Sequence, residues 1–180
     1  MLTIVMVIAT LVYPLVIGYG HAQIEPRFLA GMLLLVALTR LPFLKLSNAW
    51  QWLLGGTLLL LILAVGANAL LPLKLYPVLV NAIMFGAFGY SLIYPPSMVE
   101  RFARIREPNL PNEAIGYTRN VTIIWSFFFA VNGAIAFITA LWTSAATWSL
   151  YNGFIAYLLM GLLFAGEYLV RLRFKARLHA

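Results

Sequence analysis

Long apolar runs separated by short polar intervals dominate the chain. A helix needs about 20 apolar residues to cross the hydrocarbon core of a bilayer. Because the runs are continuous rather than alternating in twos, the pattern favours helices over a transmembrane β-barrel. The sequence therefore predicts an all-α, polytopic transmembrane helical bundle of about six helices in one integral membrane domain, 1–180, with spans at 2–18, 28–44, 50–71, 76–94, 121–142 and 148–170.

The second predicted span is the least regular, because Arg40 and Pro42 interrupt it. A full span and a re-entrant or interfacial segment both fit this stretch. The first run has no Lys or Arg ahead of it and no clear cleavage site. We therefore expect it to be a retained span rather than a signal peptide.

Two of the connections between predicted spans are short. Pro72 and Pro77 bracket an interval too brief for anything but a tight hairpin, since one proline ends a helix and the other opens the next. Residues 143–147 are predicted to form a short uncharged turn. Trp142 and Trp148 lie at predicted span ends, where tryptophan typically anchors a helix at the membrane interface.

The interval 95–120 is the one long polar stretch, and it is predicted to be a cytosolic connector. Ser97 and Glu100 have the spacing of a capping box. The apolar residues nearby recur on one helical face: Met98, Val99, Phe102 and Ile105. This pattern predicts a short interfacial helix in the headgroup plane between the fourth and fifth spans, while a plain solvated connector is the alternative. Asn112 is predicted to cap a helix that continues into the fifth span.

Composition and charge set the environment and the orientation. Of the 180 residues, 63% are apolar and 9% are charged, which would leave a water-soluble fold without a polar surface. Lys and Arg are held on the cytosolic side during insertion. Counting them by interval predicts a cytosolic C-terminus whether or not 28–44 spans, whereas the side of the N-terminus depends on that segment.

Glu167 is the only carboxylate inside an apolar run, and it is a candidate functional residue together with Arg171. An ionisable group at mid-bilayer costs about 2.5–3.5 kcal/mol, so such groups often serve a function. The simpler interpretation is a helix-surface ion pair between these two residues, four positions apart. A role in handling protons or substrate is the alternative.

Four asparagines lie within predicted spans: Asn68, Asn81, Asn132 and Asn152. Amides in such positions usually form hydrogen bonds between helices, at roughly 0.6–2 kcal/mol each. Asn132 and Asn152 are therefore candidate functional residues, with helix packing as the favoured interpretation.

The connector carries four arginines that are candidate contacts for lipid or for a protein partner: Arg101, Arg104, Arg106 and Arg119. Near an anionic membrane each basic side chain contributes about 1 kcal/mol, and an acidic protein would be attracted in the same way. Membrane orientation alone would also explain these residues. Nucleic acid is not an expected partner despite the sequence pI of about 10.0, because no basic groove with interleaved aromatics is evident.

Catalysis is not favoured by the residues present, although the sequence leaves the question open. The chain contains no Cys, its acidic residues are all Glu, and its histidines are His21 and His179. Neither a thiolate or multi-histidine metal site nor an acid/base pair can be assembled from this pattern. No phosphate loop or nucleophile elbow is present. We therefore predict no catalytic residue, no metal and no cofactor.

Three stretches carry a resemblance to a known family: 94–104 (YPPSMVERFAR), 117–122 (YTRNVT) and 151–167 (YNG through GLLFAGE). In these, the chain resembles bacterial inner-membrane proteins that accompany acyl carrier proteins, ketosynthases and acyltransferases in aryl-polyene or fatty-acid-like biosynthesis. The match covers mainly the C-terminal half, and its motifs carry no assigned chemistry. The resemblance implies location in a bacterial inner membrane, with membrane lipids and an acidic acyl carrier protein or biosynthetic enzymes as partners.

The function expected on this basis is that of a non-catalytic membrane protein that anchors or assists cytosolic synthesis of a lipid-like product. The alternative is a small transporter or flippase for a lipophilic molecule. That alternative requires polar side chains of the spans to converge on a cavity near mid-bilayer. A membrane acyltransferase would need a cytosol-facing His or carboxylate site, which the sequence does not supply.

Overall fold

The structure is a computed structural model that describes the backbone of residues 48–178 apart from residue 68, with isolated positions at 14, 17, 25, 26, 28, 30 and 31. Apart from those positions, the predicted spans 2–18 and 28–44 lie outside the described residues. Every regular element in the described part is helical. The all-α fold class is therefore confirmed.

Seven α-helices and one π-helical turn follow each other along the described chain. They are α1 (Asn48–Ala67), α2 (Leu71–Lys74), α3 (Tyr76–Ile93), α4 (Met98–Arg106), α5 (Asn112–Trp142), α6 (Ala145–Leu150), the π turn (Tyr151–Ile155) and α7 (Ala156–Leu178). Leu75 alone separates α2 from α3, and α6 passes through the π turn into α7 without a break.

Three stretches of helix are long and apolar enough to cross a membrane: Leu71–Ile93, Asn112–Trp142 and Ala145–Phe174. They indicate a helical membrane protein. The prediction of six spans is not met among the described residues, where these three qualify. Helix α1, 20 residues long, overlaps the predicted third span, 50–71.

Helix α5 is longer than the span predicted within it. Its 31 residues correspond to about 46 Å, whereas the hydrocarbon core is about 30 Å thick. The prediction that Asn112 caps this helix is wrong, because Asn112 is its first residue, Pro111 holds the cap position and no side chain caps the helix there. The first turns of α5 therefore belong to the polar connector, and 121–142 is the apolar remainder.

The two short connections, before α3 and after α5, differ from their predictions. Pro72 and Pro77 lie in the first turns of α2 and α3, where a missing N–H and a fixed φ are tolerated. The interval between the two prolines is therefore helical apart from Leu75, and the hairpin predicted there is wrong. The turn after α5 is also shorter than predicted, because Ser144 Oγ accepts a hydrogen bond from Thr147 N–H at 3.1 Å and starts α6 at Ala145.

The core of the bundle lies mainly between α3 and α5, which make the most extensive helix contact in the described part. Phe88, Val121, Trp125 and Phe129 form one buried cluster there. At one end, α1 comes close enough to α3 that a Cβ on Gly56 would lie 2.8 Å from a methyl carbon of Leu79.

A second buried cluster corrects the prediction for Trp148. This residue is fully buried with Leu61, Leu73 and Ala140, and its indole N–H donates to Lys74 O at 3.1 Å. It is therefore a core residue and not an interface anchor. Trp142 is 70% exposed, as an interface position requires.

Candidate functional site

Contacts between helices bring most of the arginines to one end of the bundle, here called the basic end (residues 94–120 and 167–174). Helix α4 reaches α5 through a hydrogen bond from Val99 N–H to Thr122 Oγ1 at 3.2 Å. Tyr117 on α5 reaches Glu167 on α7 at 3.0 Å. The basic end carries Arg101, Arg104, Arg106, Arg119, Arg171 and Arg173.

The opposite end, residues 70–76 and 142–148, carries Lys74 as its single basic side chain. Lys74 is buried, and its ammonium group donates to Thr143 O at 3.3 Å. This bond ties α2 to the end of α5. The two ends of the described bundle therefore differ strongly in exposed positive charge.

Glu167 is held at the basic end by hydrogen bonds from Arg171 and Tyr117, and these three residues are here called the latch. Its Oε1 accepts from Arg171 Nε at 2.9 Å and lies 2.8 Å from Arg171 Nη2. The hydroxyl of Tyr117 donates to the same oxygen, and the ring of Tyr117 stacks on Phe174 at 4.8 Å. The predicted ion pair is present, and Tyr117 makes it a link between α5 and α7. The carboxylate is thus neutralised locally, which is how a bundle accommodates a charge near lipid.

Asn132 is the centre of a chain of side-chain hydrogen bonds in the middle of the bundle. Its Nδ2 donates to Asn81 Oδ1 at 3.1 Å, and its Oδ1 accepts from the Tyr151 hydroxyl at 2.9 Å. Asn81 Nδ2 in turn donates to Pro77 O at 2.8 Å. The chain joins α3, α5 and the π turn, and it occupies both amides in helix packing.

Asn152 forms a separate arrangement one residue further along the π turn. Its Nδ2 donates to Trp148 O at 3.0 Å and to Thr139 Oγ1 at 3.3 Å. Its Oδ1 and the Ser149 hydroxyl oxygen are buried without a hydrogen-bond partner in the described part. No hydrogen bond between described residues joins Asn152 to Asn132.

A buried stripe of hydroxyl residues on α5 was missed by the sequence analysis. Thr118, Thr122, Ser126 and Thr139 each donate to a backbone carbonyl three or four residues earlier. The four-residue spacing of Thr118, Thr122 and Ser126 is the signal that could have identified the buried face of this helix. Because each hydroxyl is satisfied within α5, the stripe by itself adds no open polar surface.

A groove of about 270 Å³ lies between α3 and α5. Its walls are almost entirely apolar, formed by Val78, Ala82, Phe85, Phe129, Ala130 and Gly133, with Asn81 as the polar lining residue. A Cβ on Gly133 would lie 3.0 Å from Asn81 Cβ. This close approach explains the glycine, and the amide of Asn81 is already engaged in the chain described above.

Three of the four candidate arginines of the connector are bonded to the protein itself. Arg101 donates to Pro96 O at 2.8 Å, and Arg119 donates to Leu92 O at 2.9 Å. Arg104 pairs with Glu100 at 2.8 Å. Arg106 is exposed and makes no hydrogen bond or ion pair with the residues that the structure describes. The four arginines are therefore not equivalent.

Helix α4 is fixed to the bundle through its first turn. Met98 N–H donates to Ser91 Oγ at 2.8 Å, and Val99 N–H to Thr122 Oγ1. Glu100 is 5% exposed, and its Oε2 accepts from Ser97 N–H at 3.3 Å. Hydroxyls of α3 and α5 thus satisfy amides that a helix start leaves unpaired.

No three His, Cys, Asp or Glu residues within the described ranges form a group that could hold a metal ion. No protein-family model matches the chain, and neither a curated protein nor a solved structure gives a match. The helical bundle and its basic end therefore have to be interpreted from their own geometry.

Proposed function

We propose that this chain is a non-catalytic integral membrane protein that anchors or assists cytosolic enzymes making a lipid-like product of aryl-polyene or fatty-acid type. The observation that carries the proposal is the closed hydrogen-bond chain of Asn81, Asn132 and Tyr151. It commits the side-chain oxygens of Asn81 and Asn132, and one N–H of each amide, to hydrogen bonds within the protein. The adjacent groove is apolar and offers no polar path across the membrane.

We also propose that the basic end faces the cytosol of a bacterial inner membrane, with the C-terminus on that side. The support is the asymmetry of charge, because six arginines lie at the basic end whereas Lys74 at the other end is buried. Lys and Arg are retained on the cytosolic side during insertion.

An acidic acyl carrier protein or a biosynthetic enzyme is the proposed partner at the basic end. Positive charge there would attract such a protein and speed its encounter. The last basic residues are the best targets for a test: Arg173, Lys175 and Arg177. Arg101 and Arg104 are less suitable, because they hold backbone carbonyls and their replacement would disturb the connector itself.

Deletion of the gene, followed by lipid and pigment analysis of separated inner and outer membranes, tests the role. The proposal expects the product to be lost from both membranes and restored by the wild-type chain. Product stranded in the inner membrane would instead identify an exporter and overturn the proposal. The partner is tested by co-purification with carrier protein. The wild type is compared with the triple variant Arg173→Gln, Lys175→Gln, Arg177→Gln.

A further inference from the structure

Helix α4 turns its apolar stripe away from the bundle. Phe102 is 57% exposed and Ile105 is 79% exposed, although they lie on the same helical face as Met98. The side that meets the bundle includes buried Glu100 and half-buried Ala103 instead. The sequence analysis placed Met98, Val99, Phe102 and Ile105 together on one face, but only Met98 and Val99 pack against the core.

This orientation follows from the bonds that hold the helix. The amides of Met98 and Val99 are fixed by Ser91 and Thr122, and Glu100 is fixed by Arg104 and by Ser97 N–H. With the first turn held in this way, residues one turn later on the apolar side project outward. An exposed apolar stripe beside the ends of membrane-crossing helices matches lipid as its surroundings better than water.

Arginines flank the stripe on both sides. At about 3.6 residues per turn, Arg101 and Arg106 fall on opposite edges of the face formed by Phe102 and Ile105. Both arginines are exposed. Arg101 uses Nε and Nη2 for backbone carbonyls, and Arg106 has no partner among the described residues. Basic side chains at the edges of an apolar stripe are typical of helices that lie in a membrane interface.

We infer that α4 is an anionic-lipid-binding helix that lies in the leaflet at the basic end, with Phe102 and Ile105 among the acyl chains and Arg101 and Arg106 on lipid phosphates. Charge complementarity selects this occupant over a neutral one. The inference requires that the protein be embedded in a membrane, but it does not depend on the proposed role in biosynthesis. It also separates the arginines of α4 from Arg173 on α7, which is exposed and stays available to the proposed protein partner.

Site-directed labelling of the full chain in lipid nanodiscs tests the depth of the stripe. The chain has no cysteine, so a single cysteine can carry a nitroxide label at Ile105→Cys. Phe127→Cys, 71% exposed in the middle of α5, gives the lipid reference, and Asn109→Cys in the exposed connector gives the aqueous reference. We expect the label at 105 to be several-fold less accessible to a water-soluble relaxant than the label at 109. Equal accessibility at 105 and 109 would place the stripe in water and overturn the inference.

The headgroup contact is tested by comparing nanodiscs of phosphatidylcholine with nanodiscs that also contain phosphatidylglycerol. Each arginine near an anionic surface is expected to contribute about fivefold in lipid affinity. Arg106→Gln should therefore reduce the phosphatidylglycerol retained by the purified protein about fivefold, and it disturbs no bond within the described part. Arg173→Gln, at the same end but on α7 and away from the stripe of Phe102 and Ile105, is the matched control and should reduce retention less than Arg106→Gln does. Equal losses in both variants, or no loss at Arg106, would contradict binding at α4.

Discussion

Asn132 of α5 donates a hydrogen bond from its side-chain amide to the side-chain oxygen of Asn81 on α3, at 3.1 Å, and both residues are buried. In hydrocarbon such a pair satisfies two amides that would otherwise be left without partners. The bond therefore fixes the register of the two most closely packed helices. Tyr151 extends the same constraint to the π turn, which precedes α7.

A double-mutant cycle with Asn132→Ala and Asn81→Ala should show coupling between these residues. Interhelical hydrogen bonds in membrane bundles contribute roughly 0.6–2 kcal/mol, so we expect a coupling free energy of about 1 kcal/mol. Unfolding of the micelle-bound protein by denaturant measures it. Asn120→Ala, at an exposed position on the same helix, is the control. Additive effects of the two substitutions would show that the pair does not stabilise the bundle.

The close approach of α3 and α5 depends on Gly133. A Cβ added there would lie 3.0 Å from Asn81 Cβ. Gly133→Leu should therefore force the helices apart and lower the free energy of unfolding by about 1–3 kcal/mol, as overpacking does. Gly86→Leu on α3 is the matched control, because a Cβ at that position meets nothing within 4 Å. The free energy of unfolding in micelles is compared for the two variants. Equal losses would mean that the contact between the helices is not limiting.

The contacts of the latch predict that Tyr117→Phe lowers the free energy of unfolding more than Glu167→Gln does. Tyr117→Phe removes the hydroxyl but keeps the ring on Phe174, so it should cost about 1 kcal/mol of stability, as the loss of one hydrogen bond does. Glu167→Gln retains an acceptor for Tyr117 and loses the charge pair with Arg171. That pair is worth only about 0.3–0.5 kcal/mol, because the arginine is half exposed. Unfolding measurements that give the larger loss for Glu167→Gln would assign the carboxylate a role beyond packing.

The sequence predicted the helices well but not the faces that they use. Long apolar runs located α3, α5 and α7, because membrane-spanning length is a local property, whereas Pro72 and Pro77 suggested a hairpin where the structure has helix. The face of α4 could not be predicted in this way. Its apolar stripe points outward because Ser91 on α3, seven residues before Met98, and Thr122 on α5, 23 residues after Val99, hold its first turn.

In the candidate site too, contacts between residues close in sequence were predicted and contacts between distant residues were not. The pair of Glu167 and Arg171 was predicted because residues four apart on a helix are neighbours. Tyr117 was not predicted, since it is 50 residues from Glu167 in the chain. Trp148 was misplaced for a related reason. Its position suggested a span end, but the carbonyl of Lys74 and the second buried cluster hold it in the core.

Sidedness of the bundle can be measured directly with single cysteines in intact and permeabilised cells. Arg106→Cys and Arg173→Cys should react with a membrane-impermeant maleimide only after the membrane is permeabilised, since both lie at the basic end. Ser144→Cys, exposed at the opposite end, should react in cells whose outer membrane alone has been opened. Reaction of positions 106 and 144 from the same side would contradict the bundle arrangement, whereas a full reversal would contradict only the proposed orientation.

Thr122 is predicted to control the attachment of α4 to the bundle. Its hydroxyl accepts the hydrogen bond from Val99 N–H and donates to Thr118 O, so Thr122→Val leaves the amide of Val99 unpaired at the start of the helix. Loss of a cap costs about 1 kcal/mol, which corresponds to about a fivefold increase in local opening. Hydrogen exchange of the α4 amides measures this change.

Thr118→Val is the matched control for that experiment. Thr118 lies one turn away on the same buried face of α5, but its hydroxyl donates only to Ile115 O within its own helix. The same chemical change there should leave exchange in α4 unaltered. If both variants accelerate exchange in α4 equally, the effect comes from loosening of α5 in general, and the hydroxyl of Thr122 is not the group that holds α4. If only Thr122→Val does so, the hydrogen bond from Val99 N–H to Thr122 Oγ1 is one of the contacts that hold the first turn of α4 and with it the outward orientation of Phe102 and Ile105.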